Sequence, residues 1–331
     1  MKTILVTGGA GFIGSNLVAA LLARGTHHVV VCDHFGTDDK WRNLAKHPVF
    51  EIIPPEQIFD WLEFNRSQVD VVFHLASISS TTEKDIDLIL KHNFQLSLKL
   101  WRWCNVRSVR LIYASSSATY GGGEHGFDDS IDLAYLQKLQ PLSGYGWSKH
   151  LFDMHVAGCV ARGEINLPQW IGLKTFNTYG PNEYHKGDQQ SVITKVASHA
   201  MQAGTVKIFR SYNPQYADGE QQRDMIYIKD VVRVLLWCMD YPRISGLFNC
   251  GTGQASTFNQ MARGIFSALG AAPRISYSDM PEGLLTKYQY YTQANMQKLR
   301  SVGFAEEFTP LEAGIKDYMQ NYLLKKDDPY L

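Results

Sequence analysis

The stretch Thr7-Gly8-Gly9-Ala10-Gly11-Phe12-Ile13-Gly14 decides the fold. An apolar run, Ile4-Leu5-Val6, precedes it, and Asn16 to Arg24 follows with Leu17, Val18, Leu21 and Leu22 spaced as one helix face. Gly8, Gly11 and Gly14 form a GxxGxxG pattern between a strand and a helix. The first glycine permits a tight turn, the second lets a pyrophosphate reach the backbone, and the third lets helix pack on strand. The phosphates then sit on the amide groups of the helix N-terminus. Three glycines alone are a weak signal, but this strand-to-helix setting is the context that makes them a dinucleotide loop.

Outward from the loop, strand patterns alternate with helical ones. His28–Cys32, Val69–Phe73, Val109–Tyr113 and Ile171–Phe176 read as strands. Ile86–Trp103 reads as one long helix and Gly146–Ala161 as another. This alternation predicts βαβ units, hence a Rossmann-type doubly wound parallel α/β sheet. A smaller, discontinuous α/β portion follows, with a helix over Ser191–Ala203, a strand over Val206–Phe209 and an exposed polar loop over 211–222. Thr257 with Gln260, and Thr309 with Glu312, predict two capping boxes. Residues 325–331 are expected to fray. The expected division gives residues 1–176 plus roughly 219–250 to the dinucleotide-binding domain. Residues 177–218 and 251–331 form the substrate-binding domain.

The 331 residues carry 32 Lys+Arg against 32 Asp+Glu, so no global field holds nucleic acid or an anionic membrane. Five scattered cysteines without a CxxC pair argue against a disulfide framework or a structural zinc, and no metal site is expected. The N-terminus does not read as a signal peptide and no apolar run of ~20 residues occurs, so a cytoplasmic protein is expected.

Asp33 ends the second strand, about 20 residues after the loop, where an acid takes a ribose hydroxyl and favours NAD. His34, Lys40 and Arg42 follow closely and suit a 2′-phosphate, so the spacing leaves NAD and NADP open. Tyr145 and Lys149 form a YxxxK pair on one helix face, where an ammonium is expected to lower the phenol's pKa. Ser115, Ser116 and Ser117 end a parallel strand, where α/β enzymes place their chemistry. Residue types alone do not choose among the three serines.

The glycine loop, the Ser-Tyr-Lys set, Asn93 and Arg223-Asp224 resemble the extended short-chain dehydrogenase/reductases that act on nucleotide sugars. Ser79-Ser80-Thr81-Thr82-Glu83, Phe176-Asn177-Thr178-Tyr179-Gly180-Pro181, His185-Lys186-Gly187 and Tyr288 to Ala294 narrow the resemblance. Together they look like the branch of this family that epimerises an ADP-heptose at carbon six. The resemblance implies interconversion of ADP-D-glycero-D-manno-heptose and its L-glycero epimer, with tightly held NADP recycled and NAD as the alternative. It implies Tyr145 and Lys186 as the two acid/bases, Ser116 on the reacting oxygen, and Lys149 on the nicotinamide ribose. It assigns Gly8, Gly11, Phe12, Ile13, Gly14, Asp33, His34, Lys40, Leu75, Ala76 and Asn93, with Tyr145 and Lys149, to the cofactor. It assigns Ser79, Ser116, Asn177, Lys186, Asp188, Lys195, Phe209, Arg223 and Tyr288 to the substrate. It also implies a homo-oligomer, with a pentamer as one form, and a place in lipopolysaccharide core biosynthesis.

Two other readings stay on the table. A 4-epimerase of the same fold would swing its sugar about one tyrosine and not need Lys186. A non-catalytic dinucleotide-binding protein would not need the Ser116, Tyr145 and Lys149 set. A 4,6-dehydratase is disfavoured, because Ser117-Ala118 stands where an Asp-Glu pair would supply the acid for elimination.

Overall fold

The computed structural model describes residues 2–285, 288–325 and 327–331. The strands, in chain order, are β1 (Thr3–Thr7), β2 (His28–Cys32), β3 (Glu51–Ile53), β4 (Val69–His74), β5 (Arg110–Ser116), β6 (Trp170–Thr175), β7 (Asn177–Tyr179), β8 (Val206–Phe209), β9 (Gln222–Tyr227), β10 (Gly246–Cys250), β11 (Ala255–Thr257) and β12 (Ile275–Ser278). A seven-stranded sheet runs β10-β6-β5-β4-β1-β2-β3, and every pairing in it is parallel. The strand order reverses between β1 and β4, which opens a crevice at the carboxyl ends of those strands. Smaller sheets, β11-β9-β7 and β12-β8, lie in the carboxyl-terminal part of the chain.

Both faces of the large sheet are covered. Ile4, Val6, Phe73, Ile112 and Leu173 enter one core cluster, while Leu5, Val72, Leu111, Tyr113 and Trp101 enter the other. Neighbouring β-strand residues therefore point to opposite cores, which is why these strands read as continuous apolar runs. Burying each large aliphatic side chain contributes about 1.5–3 kcal/mol.

Three local expectations about helices are corrected. The first helix spans Phe12–Arg24, not Asn16–Arg24, because Gly11 in extended conformation starts it straight from the glycine loop. The long helix after β4 is interrupted, with α-turns at Ile86–Ile89 and Leu96–Arg107 and a π-turn at Leu90–Gln95. Thr257 and Gln260 form their capping box, but Thr309 does not cap with Glu312. Its hydroxyl and amide donate instead to Asp230, at 2.8 and 2.7 Å.

The last residues are docked rather than frayed. Lys46 Nζ donates to the Tyr330 carbonyl at 2.8 Å, Tyr184 donates to the Pro329 carbonyl at 2.9 Å, and the Leu331 amide donates to Asn182 Oδ1 at 3.0 Å. Tyr330 also packs edge-on to Tyr184 and beneath Arg42. The polar segment 211–222 is only partly exposed, with Tyr212, Pro214, Gln215 and Ala217 facing solvent, and it closes with Gln221 buried and donating to the Phe209 carbonyl. No helix among the described residues is long and apolar enough to cross a membrane.

Candidate active site

The crevice widens into a cavity of about 860 Å³. Gly8, Gly11, Phe12, Ile13 and Gly14 form one wall. Gly8 has φ +71°, and a Cβ there would lie 2.6 Å from the Ala76 amide nitrogen. A Cβ on Gly14 would overlap the Gly8 carbonyl oxygen. The loop is thus closed to side chains and presents bare backbone to whatever enters.

Asp33 receives the Ala10 amide at 2.9 Å and the Lys40 ammonium at 2.6 Å. Lys40 also donates to the His34 carbonyl at 2.8 Å, and the His34 ring faces Glu56 at 3.2 Å. Asp33, His34 and Lys40 all line the cavity, so an acid and its neutralising cation meet where the adenosine ribose of a dinucleotide would lie. Leu75 and Ala76 line it beside the loop, close against Gly8. Next to them the buried Ser77 hydroxyl has no partner among the described residues, an unmet hydrogen-bonding group in the wall of the cavity. A bare glycine cradle, a paired ribose-side acid and an orphaned hydroxyl fit a dinucleotide.

Asn93 does not line the cavity. It is fully buried on the π-turn, where its side chain accepts from the Ile78 amide and donates to the Ile78 carbonyl, at 2.8 and 2.9 Å. It also donates to Ser148 Oγ at 3.0 Å. It therefore holds the segment after β4 against the helix that carries Tyr145.

Ser116 ends β5, and Tyr145 and Lys149 lie one turn apart on the helix Gly144–Ala161; all three line the cavity. The expected electrostatics need correction. Burial pushes the Tyr145 phenol above its usual range, a hydrogen bond with Ser116 pulls it down, and the Asp153 carboxylate pushes it up. Lys149 instead donates to the Ala114 carbonyl at 2.8 Å. Burial lowers its own pKa to about 8, with Asp153 opposing. The phenol therefore keeps its proton at neutral pH in this state.

Lys186 reaches the same cavity from the turn Tyr184–Gln189, with its ammonium 5.4 Å from the centre of the Phe12 ring. Burial lowers its pKa, Glu183 opposes, and Lys195 adds to the lowering. Such a lysine exchanges a proton nearer neutrality than a solvated one. His185 beside it is held by Asn43 at 3.1 Å, and burial lowers its pKa to about 4.

Ser79 and Asn177 also line the cavity, but Asp188, Lys195, Phe209, Arg223 and Tyr288 do not. Asp188 is exposed, and its carbonyl receives Lys195 at 2.6 Å. Phe209 is on β8, its carbonyl bonded to Gln221. Arg223 is buried, with its guanidinium 5.2 Å from the centre of the Tyr288 ring and 5.8 Å from that of Phe258. Burial lowers its pKa to about 10. Thr7, Phe176 and Gln289, which the sequence does not mark as site residues, also line the cavity. Thr7 and Phe176 could have been found from their place at or just past strand ends, whereas Gln289 is brought in by the fold and donates to the Gly121 carbonyl.

A parallel-sheet glycine loop joined to a Ser-Tyr-Lys set defines the class, a dinucleotide-dependent enzyme of the extended short-chain dehydrogenase/reductase type. The family described as NAD dependent epimerase/dehydratase matches residues 4–251, and the chain belongs to it. An ADP-L-glycero-D-manno-heptose-6-epimerase from Nitratidesulfovibrio vulgaris is 44% identical over 329 residues, 99% of each chain. One from Fusobacterium nucleatum is 40% identical and covers 98% of this chain and 99% of its own. The crystal structure of the Helicobacter pylori ADP-L-glycero-D-manno-heptose-6-epimerase is similar, with a TM-score of 0.79 at 29% identity, over 97% of this chain and 96% of that one.

Proposed function

We propose that the protein interconverts ADP-D-glycero-D-manno-heptose and ADP-L-glycero-D-manno-heptose by transient oxidation at carbon six. The observation that carries this reading is the meeting of two proton-exchanging groups, Tyr145 and Lys186, from separate elements of one cavity. Near-full-length similarity to relatives bearing that enzyme's name supports the substrate.

A bound nicotinamide would supply the acceptance and return of hydride at carbon six. This chain's residues do the rest. One of Tyr145 and Lys186 receives the hydroxyl proton as the carbon–hydrogen bond breaks, leaving a ketone. After the sugar shifts, the other gives a proton to the oxygen as hydride returns to the opposite face. Ser116 hydrogen-bonds the reacting oxygen, and Lys149 holds the nicotinamide ribose. Gly8, Gly11, Phe12, Ile13 and Gly14 would hold the pyrophosphate, with Leu75 and Ala76 beside them on the cofactor. NADP is the proposed cofactor, because Lys40 neutralises Asp33 and offers a cation to a 2′-phosphate. Ser79 and Asn177 face the sugar at the cavity, and Arg223 with Tyr288 takes the nucleotide end beyond it. Residues 1–176 with about 219–250 hold the cofactor, and the remainder closes over the substrate. The protein is proposed to be a cytoplasmic homo-oligomer serving lipopolysaccharide core synthesis.

The test is direct: incubate purified protein with ADP-D-glycero-D-manno-heptose, adding no cofactor, and follow carbon six by proton NMR. Conversion to the L-glycero epimer is expected. Protein that holds dinucleotide yet leaves this substrate unchanged contradicts the reading.

A further inference from the structure

Beneath the Ser116–Tyr145–Lys149 set lies an ion pair that the mechanism does not use. Lys174 on β6 and Asp153 on the helix Gly144–Ala161 meet at 2.7 Å, and both side chains are wholly buried. A buried pair of this kind is weak evidence for stability, because desolvation offsets most of its attraction. Its other contacts show what it touches.

Three successive residues at the end of β5 are each gripped from this cluster. The Ala114 carbonyl receives Lys149 at 2.8 Å. The Ser115 hydroxyl donates to Asp153 Oδ2 at 2.6 Å. The Ser116 carbonyl receives the Thr119 hydroxyl at 2.8 Å, and Thr119 in turn receives Lys174 at 2.6 Å. Ser115 and Lys174 are direct cross-strand partners, so β5 and β6 deliver both to one carboxylate oxygen. Asp153 lies one turn from Lys149 and two from Tyr145 on the same helix, which places it on their face.

We propose that the buried Asp153–Lys174 pair is the positioning device of the Ser116–Tyr145–Lys149 set. It clamps the strand that carries Ser116 to the helix that carries the other two. This rests on the reading of Tyr145 as a proton carrier. The clamp also has an electrical side. Asp153 opposes ionisation of Tyr145 and supports the charge on Lys149. The groups facing Asp153 are Tyr113 and Ser115 from β5, Tyr120 just after it, Lys174 from β6, and Tyr145, Lys149 and His150 from its own helix. Lys174 also lies 4.8 Å from the centre of the Tyr120 ring.

Four variants test this: Ser115→Ala, the neutral double variant Asp153→Asn with Lys174→Met, the conservative Lys174→Arg, and Tyr145→Phe as the reference. The readouts are co-purified dinucleotide, kcat and KM for epimerisation, and titration of Tyr145 by carbon-13 NMR of ring-labelled tyrosine. Ser115→Ala removes one hydroxyl and is expected to lower kcat about tenfold with KM unchanged. The double variant is expected to move the Tyr145 titration to lower pH by about half a unit or more. Lys174→Arg, which keeps the ion pair, is expected to keep the wild-type kcat and Tyr145 titration. Wild-type kcat in Ser115→Ala, or an unmoved titration in a folded double variant, overturns the inference while Tyr145→Phe remains inactive. Full turnover in Tyr145→Phe overturns the proton-carrier reading itself, and the inference with it.

Discussion

Thr7 Oγ1 and His74 Nδ1 lie 2.7 Å apart, joining the carboxyl ends of β1 and β4 where the strand order reverses. The other ring nitrogen meets Ser97 Oγ at 2.8 Å, so one imidazole ties two strands to the helix behind them. These contacts pin together the two strand ends that border the crevice.

The His74 ring is buried and resists charge. Burial lowers its pKa to about 3, with Lys149 adding to the effect. The unfolded chain binds a proton near pH 6.5 that the folded chain refuses, so the unfolded state holds more protons between those values. The stability tied to a neutral ring is fully present above pH 6.5 and is lost as pH falls toward 3. His74→Gln is expected to lower unfolding free energy by about 1–3 kcal/mol at pH 7. In urea melts its deficit against wild type should shrink as pH falls from 7 to 4; a constant deficit would rule out the titration.

The third glycine has no room for a methyl group, since its Cβ would collide with the Gly8 carbonyl. Gly14→Ala is therefore expected to strip co-purifying dinucleotide from the protein, read by absorbance ratio and chromatography of the released nucleotide. Wild-type occupancy would mean the loop shifts freely.

Lys186 lies on a turn and is not part of the glycine cradle. Lys186→Met is expected to keep the dinucleotide bound while lowering epimerisation by about 10²–10⁴, the range of one acid/base group. Near-normal turnover would sink the two-base proposal and favour a 4-epimerase type of chemistry.

The tail offers a stability test. Tyr330 fills the space between Tyr184 and Arg42 and is 9% exposed. Tyr330→Ala is expected to cost about 1–3 kcal/mol, measured by denaturant melts. A change within error would show that the docked tail contributes nothing to the fold.

The parallel sheet was legible because its strands are short apolar runs separated by helical periods, and because Gly8, Gly11 and Gly14 follow the first of them. Ser116, Tyr145, Lys149 and Lys186 were legible as types, and the fold brings all four to one cavity. What sequence could not reveal depends on distant partners. The π-turn around Asn93 forms because its side chain satisfies Ile78, fifteen residues earlier. Thr309 abandons its capping box for Asp230, seventy-nine residues away. A strand lysine such as Lys174 reads as solvated until β5 and the helix after it enclose it. The YxxxK spacing likewise shows the ammonium but not the burial that raises the Tyr145 phenol.

The central claim is that one hydride leaves carbon six and returns to it. The most direct measurement uses ADP-D-glycero-D-manno-heptose deuterated at carbon six, with purified protein in ordinary water and no added cofactor. The account predicts L-glycero product that keeps its deuterium at carbon six. Product carrying solvent hydrogen there would contradict it, because the bond would then have been broken by proton removal rather than hydride transfer.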